Sequence, residues 1–200
     1  MINRQCVLIT IVYLFAMTAY AHNGEDEHAN HHEMQQKATL TTVDYTLPRI
    51  KLVRDDGKTV SLPDELNDGR PVILNFIYTT CKAVCPISSQ TFSKFQSKLG
   101  DDVKKVHMVS ISIDPEQDTP ERLADYARKF KAGQQWQHYT ATAEVSVIAQ
   151  RAFDVYHGDK MSHTPVVLLR AAPSKPWLRI DGFISADDLY QEYKTLISAQ

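Results

Sequence analysis

Cys81 and Cys85 stand four residues apart in the run Tyr78-Thr79-Thr80-Cys81-Lys82-Ala83-Val84-Cys85-Pro86, and they are the side chains here best suited to soft-metal or redox chemistry. Residues i and i+4 share a helix face, so at the start of a helix the two sulfurs can approach one another. A helix N-terminus favours negative charge, and Lys82 adds a nearby cation. Cys81 is therefore expected to lean towards the thiolate. Thiolates are soft ligands that select Cu(I). Two of them leave a metal under-coordinated, so a third donor must come from elsewhere in the chain. A structural zinc site wants four closed ligands, which these residues do not supply. The plain alternative is a buried pair or a structural disulfide. A bridge joins Cα atoms roughly 4.4–6.8 Å apart, which one helical turn nearly satisfies, so a reversible Cys81–Cys85 disulfide is expected when metal is absent.

Whether such a pair reacts depends on its compartment. Residues 1–21 read MINRQCVLITIVYLFAMTAYA, with one charge at Arg4, an apolar run from Cys6 to Met17, and Ala19-Tyr20-Ala21 as a small-x-small cleavage site. That is the form of a secretory signal peptide cut after Ala21. An uncleaved anchor is the competing reading, against which the apolar stretch is short of the about 20 residues a span needs. Export to the periplasm or the outer face of the inner membrane would put Cys81 and Cys85 in oxidising surroundings. Residues 22–44 form the expected leader, disordered and histidine-rich at its start: HNGEDEHANHHEM holds His22, His28, His31 and His32, half of the chain's eight histidines. With almost no apolar content it cannot bury itself, and it reads either as a solvated leader or as a loose metal-capture arm.

The pair must be positioned by a folded domain, expected over residues 45–200. A chain of 200 residues, 43% hydrophobic, can bury a full core of its own. A net charge of −2 argues against a nucleic-acid binder, which would need a basic stripe. Ile50–Arg54 and Thr59–Leu62 flank Asp55-Asp56-Gly57 and predict an N-terminal β-hairpin. Pro71–Ile77 is a short continuous apolar run, as in a buried central strand. It is followed by Phe92, Phe95 and Leu99 on one helical face. Val106–Ile113 returns to period two. Thr119-Pro120-Glu121 opens a helix carrying Leu123, Ala127 and Phe130, and Val145, Ile148, Ala149 and Ala152 mark another. Pro165–Leu169 and Trp177–Ile180 read as a strand pair, and Ser185 with Asp188 caps a last helix bearing Leu189, Tyr193, Leu196 and Ile197. The alternation predicts an α/β fold with a mixed central sheet flanked by helices.

Three stretches carry a family resemblance. Val72–Pro86, VILNFIYTTCKAVCP, resembles the copper-site region of the Sco/SenC proteins, thioredoxin-like copper chaperones of cytochrome c oxidase assembly. Ser110–Pro120, SISIDPEQDTP, is similar to that family's strand, Asp-Pro loop and helix start. Met161-Ser162-His163-Thr164-Pro165 falls where the family has a metal-binding histidine before a strand. The resemblance implies a thioredoxin-like fold from about Thr46 to the C-terminus, with Cys81 and Cys85 as thiolate ligands and His163 as the imidazole ligand of a copper ion, Cu(I) or Cu(II). Lys82 and Ala83 replace the proline and acidic residue usual after the first cysteine. Pro165 resembles the cis-proline that faces the active cysteines of thioredoxins.

The resemblance thus implies an exported chaperone that receives copper and delivers it to an oxidase subunit, at the Cu-A site, or to another copper carrier. The second reading is a thiol:disulfide oxidoreductase, with Cys81 attacking and Cys85 resolving. Against it, three residues separate the cysteines where thioredoxin has two. A thiol peroxidase ranks last, since Tyr78 stands where peroxiredoxins place Thr or Ser. Among the other histidines, His107 reads as a strand side chain, and His138 and His157 as residues in or beside loops, with His157 flanking the site. Asp114, at the end of the second central strand where α/β sites gather, reads as the cap of its Asp-Pro turn or as an outer acid of the site.

Overall fold

The computed structural model describes residues 38–199, so the expected signal segment and His22, His28, His31 and His32 lie outside the described residues. In chain order the elements are β1 (Thr39–Val43), β2 (Lys51–Arg54), β3 (Thr59–Ser61), α1 (Leu62–Leu66), β4 (Val72–Ile77), α2 (Val84–Leu99), β5 (His107–Ser112), α3 (Pro120–Lys129), β6 (Trp136–Thr140), α4 (Ala143–Ala152), β7 (Val166–Arg170), β8 (Trp177–Asp181) and α5 (Ala186–Ser198). Short 3-10 turns occupy Gly100–Lys105 and Lys160–Ser162. The strands make one eight-stranded mixed sheet in the order β1-β8-β7-β4-β5-β6-β2-β3. Within it β4, β5 and β6 are parallel, and β7 runs antiparallel to β4.

The sequence accounts for the central strands directly. All six residues of β4 and all six of β5 are buried, because helices cover both faces of a sheet with parallel strands at its centre. On one face Ile73, Ile77 and Met108 pack with Phe92, Phe95 and Leu99 of α2, Leu123 of α3 and Leu189 of α5. On the other Leu74, Phe76, Val109 and Ile111 pack with Leu62 and Leu66 of α1, Ala149 of α4 and Phe153. The predicted caps are present: Thr119 Oγ1 accepts from the Arg122 N–H at 3.3 Å, and Ser185 Oγ from the Asp188 N–H at 3.1 Å. The N-terminal hairpin turns at Gly57, whose φ of +83° suits a residue without a Cβ.

Three expectations need correction. Residues 39–43, inside the expected leader, form β1. Four of the five are exposed, so burial gives no signal, and the strand exists through its antiparallel ladder with β8, from Thr39 opposite Asp181 to Val43 opposite Trp177. His138 is not a loop residue but a fully buried side chain of β6. That strand carries aromatic rings instead of aliphatic residues, which hid its pattern. The Thr164–Pro165 bond is trans, since the described residues contain no cis peptide. The Pro165 carbonyl accepts from the Gly182 N–H at 2.9 Å, which joins it to the β7–β8 ladder.

Candidate metal centre

The cysteines sit where β4 hands over to α2. After Ile77 the chain turns, with the Cys81 N–H donating to the Tyr78 carbonyl at 3.2 Å. The turn is anchored by a fully buried carboxylate: Asp118 accepts from the Thr79 N–H at 3.2 Å, from Thr79 Oγ1 at 2.5 Å and from Ser112 Oγ at 2.6 Å. Helices begin with unsatisfied N–H groups, and the N-cap of α2, Ala83, has no side chain to meet them. The Cys81 sulfur does so instead, accepting from the Cys85 N–H at 3.4 Å.

That arrangement makes the two thiols unlike. Burial pushes the Cys81 thiol up, but the N–H groups of Cys85 and Ala83, the Tyr78 hydroxyl and the Cys85 thiol outweigh it, so the net direction is down. Lys82, the cation expected to help, is exposed, and it is the N–H groups of the helix start that lower the Cys81 thiol. Burial pushes the Cys85 thiol far up, and the neighbouring Cys81 and Asp118 add to this. Tyr78 is also pushed up, to about 12, first by burial and then by Cys81. Both cysteines are free thiols here.

His163 reaches the same end of the sheet by topology. Because β7 runs antiparallel to β4, the start of β7 lies beside the end of β4. There His163 Nε2 stands 3.0 Å from the Phe76 carbonyl. A carbonyl can only accept, so Nε2 carries the proton and Nδ1 is left with a lone pair. Nδ1 is buried and has no hydrogen-bond partner. Burial first, and then His157, lower the His163 pKa against the pull of the Phe76 carbonyl, which keeps the ring neutral. A buried, unprotonated imidazole nitrogen with its other nitrogen fixed by a carbonyl is the state a metal ligand requires.

The three residues share this end of the sheet without yet forming one coordination sphere. Among the described residues no three His, Cys, Asp or Glu side chains stand close enough to hold a metal ion together. Tyr78 stands between the halves: its ring meets the His163 ring edge-on with centroids 6.4 Å apart, its hydroxyl donates to Met161 Sδ at 3.9 Å, and it lies near enough to Cys81 for each to shift the other's pKa. His163 also lines a cleft of about 380 Å³ with Asp114, Gln150, His157 and Lys160, and the cysteines do not line it.

Asp114 does more than cap its turn. Its carboxylate accepts from Lys160 Nζ at 2.6 Å, on the histidine loop, and from Thr80 Oγ1 at 3.5 Å, on the cysteine loop. It is thus the outer acid of both loops. Asp118 and Lys160 were not singled out by sequence reasoning, since nothing in the run Asp-Thr-Pro distinguishes a buried acid from an exposed one, and Tyr78 served there only to rank a peroxidase last. The other histidines fall outside the centre, except one. His107 is packed between the Glu65 carbonyl at 3.0 Å and Gln137 Oε1 at 2.9 Å. His138 lies between Trp136 and Tyr126. His157 does flank the site, 3.4 Å from Thr164 Oγ1.

A mixed sheet with a cysteine pair at the junction of a central strand and its helix, and a histidine just ahead of that strand's antiparallel neighbour, defines a thioredoxin-like α/β protein. The chain belongs to the SCO1/SenC family, whose profile matches residues 38–198. It is 29% identical to the SCO1 protein homolog of Bacillus subtilis over 114 residues, 56% of this chain and 58% of that protein, so the match spans little more than half of the relative's length. The solved structure of Arabidopsis thaliana ScoI with copper bound superposes with a TM-score of 0.64 at 26% identity, covering 76% of this chain and 97% of that one. BsSco, a member of the Sco family of cytochrome c oxidase assembly proteins, gives 0.64 at 24% identity over 80% of this chain and 98% of its own, a likeness of fold.

Proposed function

We propose that this chain is an exported copper chaperone that holds copper through Cys81, Cys85 and His163 and hands it on during cytochrome c oxidase assembly, at the Cu-A site. The observation that carries the reading is the donor set at one end of the sheet: a thiol held down by helix N–H groups, a second thiol one turn on, and an imidazole whose only free nitrogen is buried and unpartnered. Two sulfurs suit Cu(I), and the imidazole adds the donor that suits Cu(II). The copper-bound Arabidopsis relative supports the choice of metal, and the signal-like residues 1–21 support a periplasmic or membrane-facing location. The receiving partner is an oxidase subunit or another copper carrier. His22, His28, His31 and His32 are an accessory capture arm.

Anaerobic titration of the reduced protein with Cu(I), followed by oxidation to Cu(II), tests this with His163→Ala as the comparison. The expected result is one copper per wild-type chain, with the variant losing Cu(II) far more than Cu(I). A variant that binds both states like wild type would sink the ligand assignment.

The unlike thiols favour a second reading, a thiol:disulfide oxidoreductase. A lowered Cys81 suits attack and a raised, buried Cys85 suits resolution once a mixed disulfide forms. Loss of oxidase maturation in His163→Ala, with disulfide exchange intact, supports the chaperone. The reverse pattern supports the reductase, with the Cys81–Cys85 disulfide as its oxidised form.

A further inference from the structure

A buried cation lies at the other end of β4 from the cysteines. Arg170 closes β7 opposite Val72, the first residue of β4, so the length of that strand, about 17 Å, separates it from the cysteine arm. It is 4% exposed, and the groups it touches are neutral. Its guanidinium lies over the Trp177 ring at 4.5 Å, while Nη2 donates to the Leu66 carbonyl and, at 3.0 Å, to Asn67 Oδ1. Nε is buried and has no hydrogen-bond partner. Burial pushes the Arg170 pKa down, and the acid that pulls the other way, Asp68, is already paired with Arg70 at 2.5 Å. A buried charge without a counter-charge is costly, and an anion that reached it would offset part of that cost.

An opening for such an anion is present. Arg170 lines a cleft of about 570 Å³ that also takes in Arg49, Lys51, Ser61 and Asn67, with Asp64 as the one acid among its lining residues. Arg49 and Lys51 are exposed, so they stand at the rim and Arg170 at the floor. Three cations against one carboxylate leave a surplus of two positive charges, in a chain whose net charge is −2. We propose that this cleft binds a phosphate-bearing anion, held by Arg170 at its floor and by Arg49 and Lys51 at its rim. A surplus of two matches a phosphate dianion better than a single carboxylate. The planar N–H fork of a guanidinium suits phosphate oxygens, and Lys51 adds a point charge on a flexible stem. Burial strengthens the pull of Arg170 relative to that of an exposed arginine. Neither cysteine nor His163 lines the cleft, so the site is separate from the metal centre and does not depend on it.

The test follows the Arg170 Nε–H signal by NMR in the reduced full chain, assigned through its own backbone resonances. Inorganic phosphate, glycerol 3-phosphate and acetate are titrated separately, slightly above neutral pH, with chloride holding the ionic strength constant. The expected result is a saturable shift with at least one of the two phosphates, and binding of acetate at least about tenfold weaker. Saturation by inorganic phosphate alone marks the free ion as the ligand, and saturation by the ester alone marks a phosphomonoester. The double variant Arg49→Gln with Lys51→Gln alters only exposed side chains. It should bind the phosphate at least about tenfold more weakly, equivalent to about 1.4 kcal/mol. An Nε–H signal that neither phosphate moves overturns the site. So does acetate binding as tightly as phosphate, or a double variant with wild-type affinity, either of which leaves Arg170 as a structural clamp on the end of α1.

Discussion

The two halves of the centre are built to different standards. The cysteine arm, Tyr78 to Cys85, is tied to buried groups: Asp118 takes three hydrogen bonds under Thr79, and the helix start takes the Cys81 sulfur as its cap. The histidine arm has residues 156–162 all exposed, and only the ring of His163 reaches inside. What holds it are the Lys160–Asp114 pair, the long Tyr78–Met161 contact and the hydrogen bond of Nε2 to Phe76. The cysteine arm is pre-organised. Any movement needed to complete a three-ligand site falls to the histidine arm, where few contacts have to be broken.

Breaking the rigid arm should have the largest effect. Asp118→Ala leaves the buried Ser112 hydroxyl and the half-buried Thr79 donors without an acceptor, at about 1–3 kcal/mol each. We expect a stability loss of about 3 kcal/mol or more in denaturant melts, roughly 6–12 °C in Tm. The arm's pre-organisation would be refuted by a variant that unfolds like wild type. Next comes thiol reactivity: in the reduced, metal-free protein iodoacetamide should label Cys81 at least about tenfold faster than Cys85, following thiolate character and exposure. Equal rates by mass spectrometry would contradict the proposed division between the two sulfurs.

Acid should act unevenly. Burial lowers His107 and His163, so the unfolded chain binds protons that the folded one excludes. Stability is then fully present above the ordinary histidine pKa of about 6.5 and is lost as pH falls below it. Denaturant melts between pH 7.5 and 5 should show this decline, with amide exchange rising first over residues 156–163 and later at the cysteine arm. A stability flat across that range would count against it. The smallest effect is expected from Lys160→Ala, whose half-exposed ion pair contributes under about 1 kcal/mol. It should speed exchange in the histidine arm, with only a lesser rise at Thr80 through the shared Asp114 carboxylate, as read by mass spectrometry. A matching rise over Tyr78–Cys85 would show that the arms are not separate.

How much of this was legible in the sequence follows from how each residue signals itself. The central strands and α2 announced themselves by apolar runs and helical spacing, because burial selects side-chain type. The caps at Thr119 and Ser185 were readable because a hydroxyl before a helix has few other uses. β1 and β6 were not: one is mostly exposed, and the other buries rings and a histidine in place of aliphatic groups. The cysteine pair was visible from type and spacing. His163 needed the family resemblance, since one histidine among eight has no local mark. Asp118 and Tyr78 escaped because their roles exist only once two distant loops meet.

Asp114 gives the molecule a property that neither arm has alone. One carboxylate accepts from Thr80 on the cysteine loop and from Lys160 on the histidine loop, so each loop's grip on it conditions the other's. Thermodynamic linkage makes that influence reciprocal. By whatever factor settling Thr80 onto Asp114 favours the Lys160 contact, fixing Lys160 favours Thr80 by the same factor. A partner that grasped only the exposed histidine loop would thereby alter, at a distance, how firmly Thr80, the residue before Cys81, is held.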